Sequence, residues 1–118
     1  MHTILVVDDE SNMRFLIRLI LESAGYTVLE APHGAAALER VTESRPDLVV
    51  TDLMMPVMGG RELVERLRAD PLTATIPIVV LSSNSSTVAT AADTVLGKPF
   101  DPNSLLEATR SLAGRDGG

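Results

Sequence analysis

Several residue types that mark common classes of protein are scarce or absent in this sequence. It contains no cysteine, which excludes disulfide bonds and thiolate metal sites and fits a reducing compartment such as the cytoplasm. It has one tyrosine, two phenylalanines and no tryptophan, too few aromatic rings for a surface that stacks nucleic-acid bases. A formal net charge of −6 also disfavours direct binding of nucleic acid by this chain.

Long apolar runs are missing as well. No stretch approaches the roughly 20 apolar residues that span a membrane, and the N-terminus has no charged region followed by an apolar signal core. We therefore expect a cytoplasmic protein without a membrane partner. Its 118 residues, 45% of them hydrophobic, suffice for one core. We predict one domain over residues 1–113 and a flexible, glycine-rich tail or linker start at 114–118.

The apolar residues change their period along the chain, and this change predicts the fold class. Short apolar runs typical of buried strands alternate with stretches in which apolar residues recur at helical spacing. The expected strands are residues 3–7, 27–29, 48–50, 78–81 and 95–96, and the expected helices are 13–24, 35–42, 61–68 and 102–112. Such alternation predicts an α/β fold with a doubly wound, five-stranded parallel sheet that is covered by helices on both faces.

The first helix is amphipathic. Its predicted inward residues are Met13, Leu16, Ile17, Ile20, Leu21 and Ala24. Phe15 and Leu19 lie four residues apart but off this stripe, beside Arg14 and Arg18. We consider two interpretations of this pair: a broad buried stripe, or an apolar docking patch framed by arginines for the helices of a partner protein.

The connection between the fourth and fifth strands, residues 83–93, is near the minimum length for a parallel crossover, roughly 10 to 12 residues. Val88 is its only larger apolar residue, and its many Ser, Thr and Asn side chains compete for the backbone hydrogen bonds of a helix. We therefore predict that the helix of this crossover, which would be the fourth in chain order and would precede the helix at 102–112, is short or disordered.

Asp52 stands where the apolar run of the third strand ends, before a loop that Pro56 and the Gly59-Gly60 pair enforce. The carboxyl end of a central parallel strand borders the crevice where open α/β sheets bind ligands. One interpretation is that Asp52 only caps the following turn. The alternative is that it belongs to a site.

Three other strands favour a site. The first strand ends in Asp8 and Asp9, and the fifth is followed by Lys98, while Ser82 ends the fourth. Carboxylates that cluster at one sheet edge need a cation or a lysine among them. Mg²⁺ takes oxygen ligands and leaves room for a phosphoryl oxygen, a lysine and a hydroxyl stabilise that group, and an aspartate can itself act as the nucleophile.

At these residues the chain closely resembles the receiver domains of two-component response regulators. The matching motifs are Val6-Val7-Asp8-Asp9-Glu10, Asp52-Leu53-Met54-Met55-Pro56 with Gly59-Gly60, Ser82 after an apolar strand, and Lys98-Pro99-Phe100. The resemblance covers essentially the whole chain. It implies the flavodoxin-like receiver fold with strand order 2-1-3-4-5.

The resemblance also implies a function. Asp52 would accept a phosphoryl group from a phosphohistidine on a sensor histidine kinase or a histidine phosphotransfer protein. Asp9, Asp52 and the backbone carbonyl of Met54 would bind Mg²⁺ directly, with Asp8 acting through water. The domain would then switch conformation and signal to an effector domain or a downstream protein. It would not be an enzyme, although it would assist its own phosphorylation and dephosphorylation.

The remaining site residues are implied in the same way. Ser82 would donate a hydrogen bond to a phosphoryl oxygen and Lys98 would pair with it, supported by Ser83 and Pro99. The chain departs from the family at Val95, where many receivers have a tyrosine or phenylalanine that changes rotamer on activation. The segment between Ser82 and Lys98 is also shorter than the family usually has.

Two alternatives compete with this interpretation. A haloacid-dehalogenase-type phosphatase also uses a strand-end aspartate and Mg²⁺, but it needs a second acid two residues later. Met54 follows Asp52 at that spacing, and Glu10 follows Asp8 in a different motif. A receiver-like binding module that is never phosphorylated would be expected to lack Asp9, Asp52 or Lys98, and all three are present.

Overall fold

A computed structural model describes residues 2–53, 55, 57–83 and 92–116 of the chain, with side chains described as far as residue 113. Five strands and four helices lie within these residues. The strands are β1 (Thr3–Val7), β2 (Thr27–Ala31), β3 (Leu48–Asp52), β4 (Ile78–Ser82) and β5 (Thr94–Gly97), and the helices are α1 (Ser11–Ser23), α2 (Gly34–Glu43), α3 (Gly60–Ala69) and α4 (Pro102–Asp116).

The strands form one parallel sheet in the order β2-β1-β3-β4-β5. The chain first adds β2 on one side of β1 and then crosses back to add β3, β4 and β5 on the other side. The doubly wound α/β fold and the predicted strand order are therefore confirmed. The direction of winding reverses between β1 and β3, and the crevice at their carboxyl ends is where such a sheet binds ligands.

An apolar core lies on each face of the sheet because alternate strand residues point in opposite directions. Leu5 and Val7 face one way and belong to the core that contains the apolar sides of α2 and α3. Ile4 and Val6 face the other way and pack in the core with α1 and α4. All four side chains have no exposed surface. The two cores hold the strands rigidly, so the residues that follow each strand have fixed positions.

Helix α1 buries a narrower stripe than the sequence predicts. Ile17 and Leu21 are buried, whereas Leu16 is 47% exposed and Ala24 is also exposed. Leu16 lies about 100° around the helix from Ile17, which turns it away from the sheet. Ala24 follows the last helical residue, where the chain turns into Gly25 at a φ of 96°. The prediction that both residues face the core is therefore wrong.

The same helix has a continuous apolar outer surface. Phe15 is 59% exposed and Leu19 is 48% exposed, and Leu16 adjoins them. The interpretation of Phe15 and Leu19 as part of a broad buried stripe is therefore wrong. We call Phe15, Leu16 and Leu19 the α1 apolar patch.

The strands on either side of the crossover from β4 to β5 are tied together at both ends. Asp93 Oδ2 accepts hydrogen bonds from Ile78 N at 2.8 Å and from Arg68 Nη2 at 2.7 Å, and Asp93 N donates to Ile78 O at 2.9 Å. At the carboxyl end, Lys98 N donates to Ser82 O at 2.8 Å. Hydrogen bonds thus join β4 and β5 at both their starts and their ends.

Two predicted features extend beyond the described residues. The predicted short or disordered fourth helix falls on residues 84–91, which lie outside the described residues. Helix α4 continues to Asp116, into the segment 114–118 for which the sequence predicts a tail, and residues 117 and 118 lie outside the description. Where the structure describes the chain, no helix is both long enough and apolar enough to cross a membrane.

Candidate functional site

Four polar side chains stand at the carboxyl ends of four strands. Asp8 follows β1 directly, Asp52 ends β3, Ser82 ends β4 and Lys98 follows β5. The parallel register holds them at one level, since Asp52 pairs with Leu81, the residue before Ser82. β1, β3 and β4 are buried as they approach this edge, whereas β5 is only partly buried, and a charged or polar side chain ends or follows each of the four strands. The structure therefore brings the predicted strand-end residues to a single edge.

Three carboxylates converge there. One oxygen from each of Asp8, Asp9 and Asp52 lies within 4.8 Å of the other two. Asp8 is only 1% exposed and Asp52 only 9%, while Asp9 is exposed to solvent. Like charges at this separation repel one another and are poorly screened when buried. The cluster therefore favours a bound cation.

Lys98 supplies one positive charge to the cluster. Its Nζ lies 3.1 Å from Asp52 Oδ1 and 3.4 Å from Asp8 Oδ2. Burial by itself lowers the pKa of the Lys98 ammonium, but the hydrogen bond and charge of Asp52, together with Asp8, outweigh that effect and raise the pKa above its usual value. Lys98 is thus a fixed cation between two aspartates.

The single positive charge of Lys98 does not neutralise the negative charge of the three aspartates. Burial raises the pKa of Asp52, and the neighbouring Asp8 charge raises it further, while Lys98 and the backbone amide of Leu53 only partly counteract them. The Asp52 carboxylate is thus short of positive charge. A divalent cation beside it would supply that charge.

Hydrogen bonds orient the acids. Asp52 Oδ1 accepts from Leu53 N at 2.9 Å, and Thr51 Oγ1 donates to Asp52 O at 2.9 Å. Asp8 Oδ1 accepts from Glu10 N at 2.9 Å, just before α1 begins. A nearby main-chain amide therefore holds each of the Asp8 and Asp52 carboxylates, and the Thr51 hydroxyl holds the backbone carbonyl of Asp52.

Gly60 brings the start of α3 against the end of β3. A Cβ at Gly60 would lie 2.9 Å from Leu53 Cα and would collide with Asp52 O. Gly60 N also donates to Leu53 O at 2.9 Å. The sequence predicts only a loop from the Gly59-Gly60 pair, whereas Gly60 itself is the first residue of the helix. Its missing side chain lets the helix begin beside Asp52.

Arg14, which the sequence analysis assigns only to partner docking, also contacts the acidic cluster. Its Nη1 donates to the backbone oxygen of Asp8 at 2.7 Å, and its Nε donates to Glu30 Oε1 at 3.1 Å. A hydrogen bond from a side chain to a distant main-chain carbonyl has no sequence motif, and the amphipathic pattern of α1 suggested only an outward-facing arginine.

The other predicted residues are placed as follows. Ser82 is buried, whereas Ser83 and Pro99 are exposed beside the two strand ends, and the Lys98–Pro99 peptide is cis. Met54, whose backbone carbonyl is a predicted metal ligand, lies outside the described residues. Phe15 and Leu19 belong to the exposed α1 apolar patch and not to the acidic cluster.

The chemistry of the cluster fits a hard divalent cation. All three of its ligand groups are carboxylates, which are preferred by Mg²⁺ and Ca²⁺, and it has none of the thiolate or imidazole ligands that softer metals favour. Mg²⁺ usually keeps several waters in addition to one or two carboxylates, so three acids leave room for other ligands. Asp8, Asp9 and Asp52 could therefore hold such an ion.

Fold and site together define the class of flavodoxin-like receivers, in which a strand-end acid lies in an acidic crevice beside a lysine. The model of the response regulator receiver domain family matches residues 4–110, and the chain belongs to that family. It is a receiver domain of two-component systems. This assignment favours neither a haloacid-dehalogenase-type phosphatase nor a receiver-like binding module that is never phosphorylated.

Curated relatives are response regulators. The chain is 37% identical to the phosphate regulon transcriptional regulatory protein PhoB of Pseudomonas aeruginosa over 121 residues, which cover 98% of this chain and 53% of PhoB. It is 36% identical to the DNA-binding response regulator MtrA of Mycobacterium tuberculosis, with 96% of this chain and 51% of MtrA covered. The chain thus spans about half the length of these relatives.

Solved structures agree with the fold. A response regulator from Chloroflexus aurantiacus is 34% identical with a TM-score of 0.90, and the match covers 96% of this chain and 98% of that one. TrrA of Thermotoga maritima, solved in complex with Mg²⁺ and BeF, is 32% identical with a TM-score of 0.87, covering 95% and 99% of the two chains. The whole described sheet therefore has counterparts of known structure.

Proposed function

We propose that Asp52 accepts a phosphoryl group from a phosphohistidine of a sensor histidine kinase or a histidine phosphotransfer protein. The observation that carries this proposal is the position of the Asp52 carboxylate, at the end of β3 with Lys98 Nζ at 3.1 Å and two further acids around it. Asp52 supplies the nucleophile, Lys98 the positive charge and the acids a place for a metal ion.

The reaction is a displacement at phosphorus. An Asp52 oxygen forms a bond to the phosphorus as the N–P bond of the phosphohistidine breaks. The electron pair of that bond stays with the imidazole, which is protonated on its other nitrogen and leaves neutral. The product is an aspartyl phosphate. The domain is thus a phosphoacceptor that assists its own phosphorylation and dephosphorylation.

Several residues stabilise the negative charge on the transferred group. Lys98 pairs with a phosphoryl oxygen, and Ser82 donates its hydroxyl to another, with Ser83 and Pro99 supporting the two strand ends. Mg²⁺, when bound by Asp8, Asp9, Asp52 and the Met54 carbonyl, supplies charge that offsets the clustered carboxylates. Such fixed charges accelerate phosphoryl transfer because they are already oriented before the reaction begins.

The partner docks on α1. In the α1 apolar patch, Phe15 and Leu19 offer exposed apolar surface on the helix that follows the Asp8 loop, and Arg14 and Arg18 flank them. Exposed apolar surface beside charged side chains is typical of protein interfaces. The partner's helices would thus present their phosphohistidine near the acidic cluster.

The receiver occupies residues 1–113, and the end of α4 leads into the tail or linker start that the sequence predicts at 114–118. The output passes to an effector domain or to a separate downstream protein, because the curated relatives are about twice as long and two of them carry "DNA-binding" or "transcriptional regulatory" in their names. With its net charge of −6, this domain itself makes no direct contact with nucleic acid. The protein acts in the cytoplasm.

Acetyl phosphate provides a test that needs no partner. With Mg²⁺, the parent chain should gain one phosphate by mass spectrometry, and EDTA should prevent it. Asp52→Asn should not be labelled, while Asp101→Asn, which changes an exposed acid outside the cluster, should be labelled like the parent. Equal labelling of Asp52→Asn, or labelling that EDTA does not reduce, would refute the assignment.

A further inference from the structure

Arg14 links three elements beside the acidic cluster. It lies on α1, its side chain is only 18% exposed, and its guanidinium donates to Asp8 O at 2.7 Å and to Glu30 Oε1 at 3.1 Å. Arg18 Nη1 holds the other oxygen of Glu30 at 2.9 Å. Both anchors of the Arg14 guanidinium are therefore themselves fixed, one by the sheet and one by a second arginine.

The contact to Asp8 O completes the restraints on Asp8. Its N–H donates to Ala31 O at 3.1 Å, its Oδ1 accepts from Glu10 N, and its Oδ2 faces Lys98. The carbonyl is the remaining polar group of the residue, and it belongs to the peptide that leads into Asp9. Arg14 therefore fixes the plane of the Asp8–Asp9 peptide.

Asp9 depends on this peptide more than its neighbours do. Asp8 and Asp52 are buried and paired with Lys98, whereas Asp9 is exposed and its side chain has no such packing. The direction of its carboxylate follows from the backbone that precedes it. Rotation of the Asp8–Asp9 peptide would move the Asp9 oxygen away from the other two ligand oxygens.

We propose that Arg14 is a positioning residue, which holds the Asp8–Asp9 peptide so that Asp9 faces the metal site. This proposal rests on the proposed function of the acidic cluster as a Mg²⁺ site. Residues that orient metal ligands through a hydrogen bond typically change metal affinity by about 10- to 100-fold when they are replaced. Arg14 therefore affects Mg²⁺ affinity without touching the metal.

The sign of the effect separates positioning from simple electrostatics. A positive side chain near a cation site repels the cation, so charge alone predicts that removing Arg14 tightens Mg²⁺ binding. Positioning predicts the opposite, because the loss of the contact to Asp8 O releases the Asp9 backbone. The direction of the change in the dissociation constant therefore decides between the two.

Isothermal titration with Mg²⁺ alone tests the proposal on the parent chain, Arg14→Met, Arg14→Lys and Arg40→Met. Arg40 is the matched control, since its Nε also donates to Glu30, at the backbone oxygen, while no hydrogen bond or ion pair within the described part of the chain joins it to Asp8. Arg14→Met should weaken Mg²⁺ binding about tenfold. Arg14→Lys should weaken it as well, because a single ammonium cannot replace the planar fork that reaches both anchors. Arg40→Met should bind like the parent.

Three results would overturn the proposal: tighter or unchanged Mg²⁺ binding by Arg14→Met, full recovery of affinity in Arg14→Lys, or equal weakening in Arg40→Met. Amide NMR shifts without Mg²⁺ give a second measurement, since Arg14→Met should shift Asp9 and Glu10 while Arg40→Met should not. If the parent chain itself fails to bind Mg²⁺, the proposed metal site is wrong. If the parent binds it and Arg14→Met binds equally well, only the role of Arg14 is wrong.

Discussion

Lys98 Nζ and Asp52 Oδ1 carry opposite charges 3.1 Å apart at the carboxyl edge of the sheet, and each group favours the charged form of the other. Asp52 raises the pKa of Lys98 against the effect of burial, and Lys98 limits the rise in the pKa of Asp52 that burial causes. Asp8 shares the same ammonium at 3.4 Å. Removing Lys98 would leave two buried carboxylates without that partner.

We therefore predict that Lys98→Met lowers the free energy of unfolding by about 3 kcal/mol at pH 7 without Mg²⁺, the cost of leaving a buried charge uncompensated. The methionine keeps most of the aliphatic stem, so packing changes little. Urea unfolding curves measure the loss. Arg66→Met, which removes an exposed arginine paired with Glu62, should cost less than 1 kcal/mol.

The loss of unfolding free energy in Lys98→Met should become smaller as the pH falls. The raised pKa of Asp52 means that its ionised form costs stability above that pKa, and the cost disappears once the carboxyl is protonated. Lys98→Met raises this pKa further, so the variant's native state takes up its proton at a higher pH than the parent's does. The contribution of Lys98 itself is fully present below about 10.5, the ordinary lysine value, and is lost only above it. If the difference in the free energy of unfolding between the parent and Lys98→Met were the same at pH 7 and pH 4.5, this account would be contradicted.

Gly60→Ala should destabilise the domain by about 2 kcal/mol, because the added Cβ meets backbone atoms of Asp52 and Leu53 that cannot move aside alone. The start of α3 would have to shift away from β3. Gly59→Ala is the comparison, since its Cβ would lie 3.2 Å from Leu53 O and needs a smaller adjustment. Denaturation midpoints should fall more for Gly60→Ala, and a larger fall for Gly59→Ala would show that the close approach at Gly60 is unimportant.

Phe15→Ala should slow phosphotransfer from the partner while leaving labelling by acetyl phosphate unchanged. The ring belongs to the α1 apolar patch and is 59% exposed, so its removal disturbs an interface more than the core. Leu72→Ala is a matched control, because Leu72 is also exposed, at 78%, but follows α3. Equal losses in both assays would indicate that Phe15 stabilises the fold instead.

The segment 83–93 should exchange its amide hydrogens quickly in the unphosphorylated protein, because its sequence offers little apolar anchoring. Asp93 is the expected exception, since its amide is bonded to Ile78 O. Val95 stands where many receivers have the aromatic switch, so phosphorylation should slow exchange by ordering this segment through Ser82. A long, well-protected helix before phosphorylation would contradict the prediction.

The sequence allowed the fold and the acidic cluster to be predicted for a simple physical reason. A strand buried on both faces is a largely apolar run, so the first charged residue after that run lies at the sheet edge, as Asp8 and Asp52 do. Parallel strands then bring such residues together without any further information. The order of the strands came from the family resemblance and not from the pattern.

Other features depend on contacts that no periodicity encodes. Leu16 looks like a core residue at helical spacing, yet how far a helix turns toward the sheet depends on its packing partners, and Leu16 is 47% exposed. Arg14 looks like a surface residue, yet its guanidinium reaches Asp8 O. Gly60 looks like part of a flexible loop, yet its lack of a side chain allows a close approach between a helix and a strand.

The bonds that join the ends of β4 and β5 have an evolutionary consequence. Asp93 holds the start of both strands together, and the pairing of Lys98 N with Ser82 O holds their ends, so β4 and β5 are joined on both sides of the chain between them. Doubling the length of such a closed loop costs only about 0.6 kcal/mol. Insertions, deletions and substitutions can therefore accumulate between Ser83 and Asp93 while Ser82 and Lys98 keep their places, so related receiver domains can acquire different downstream partners.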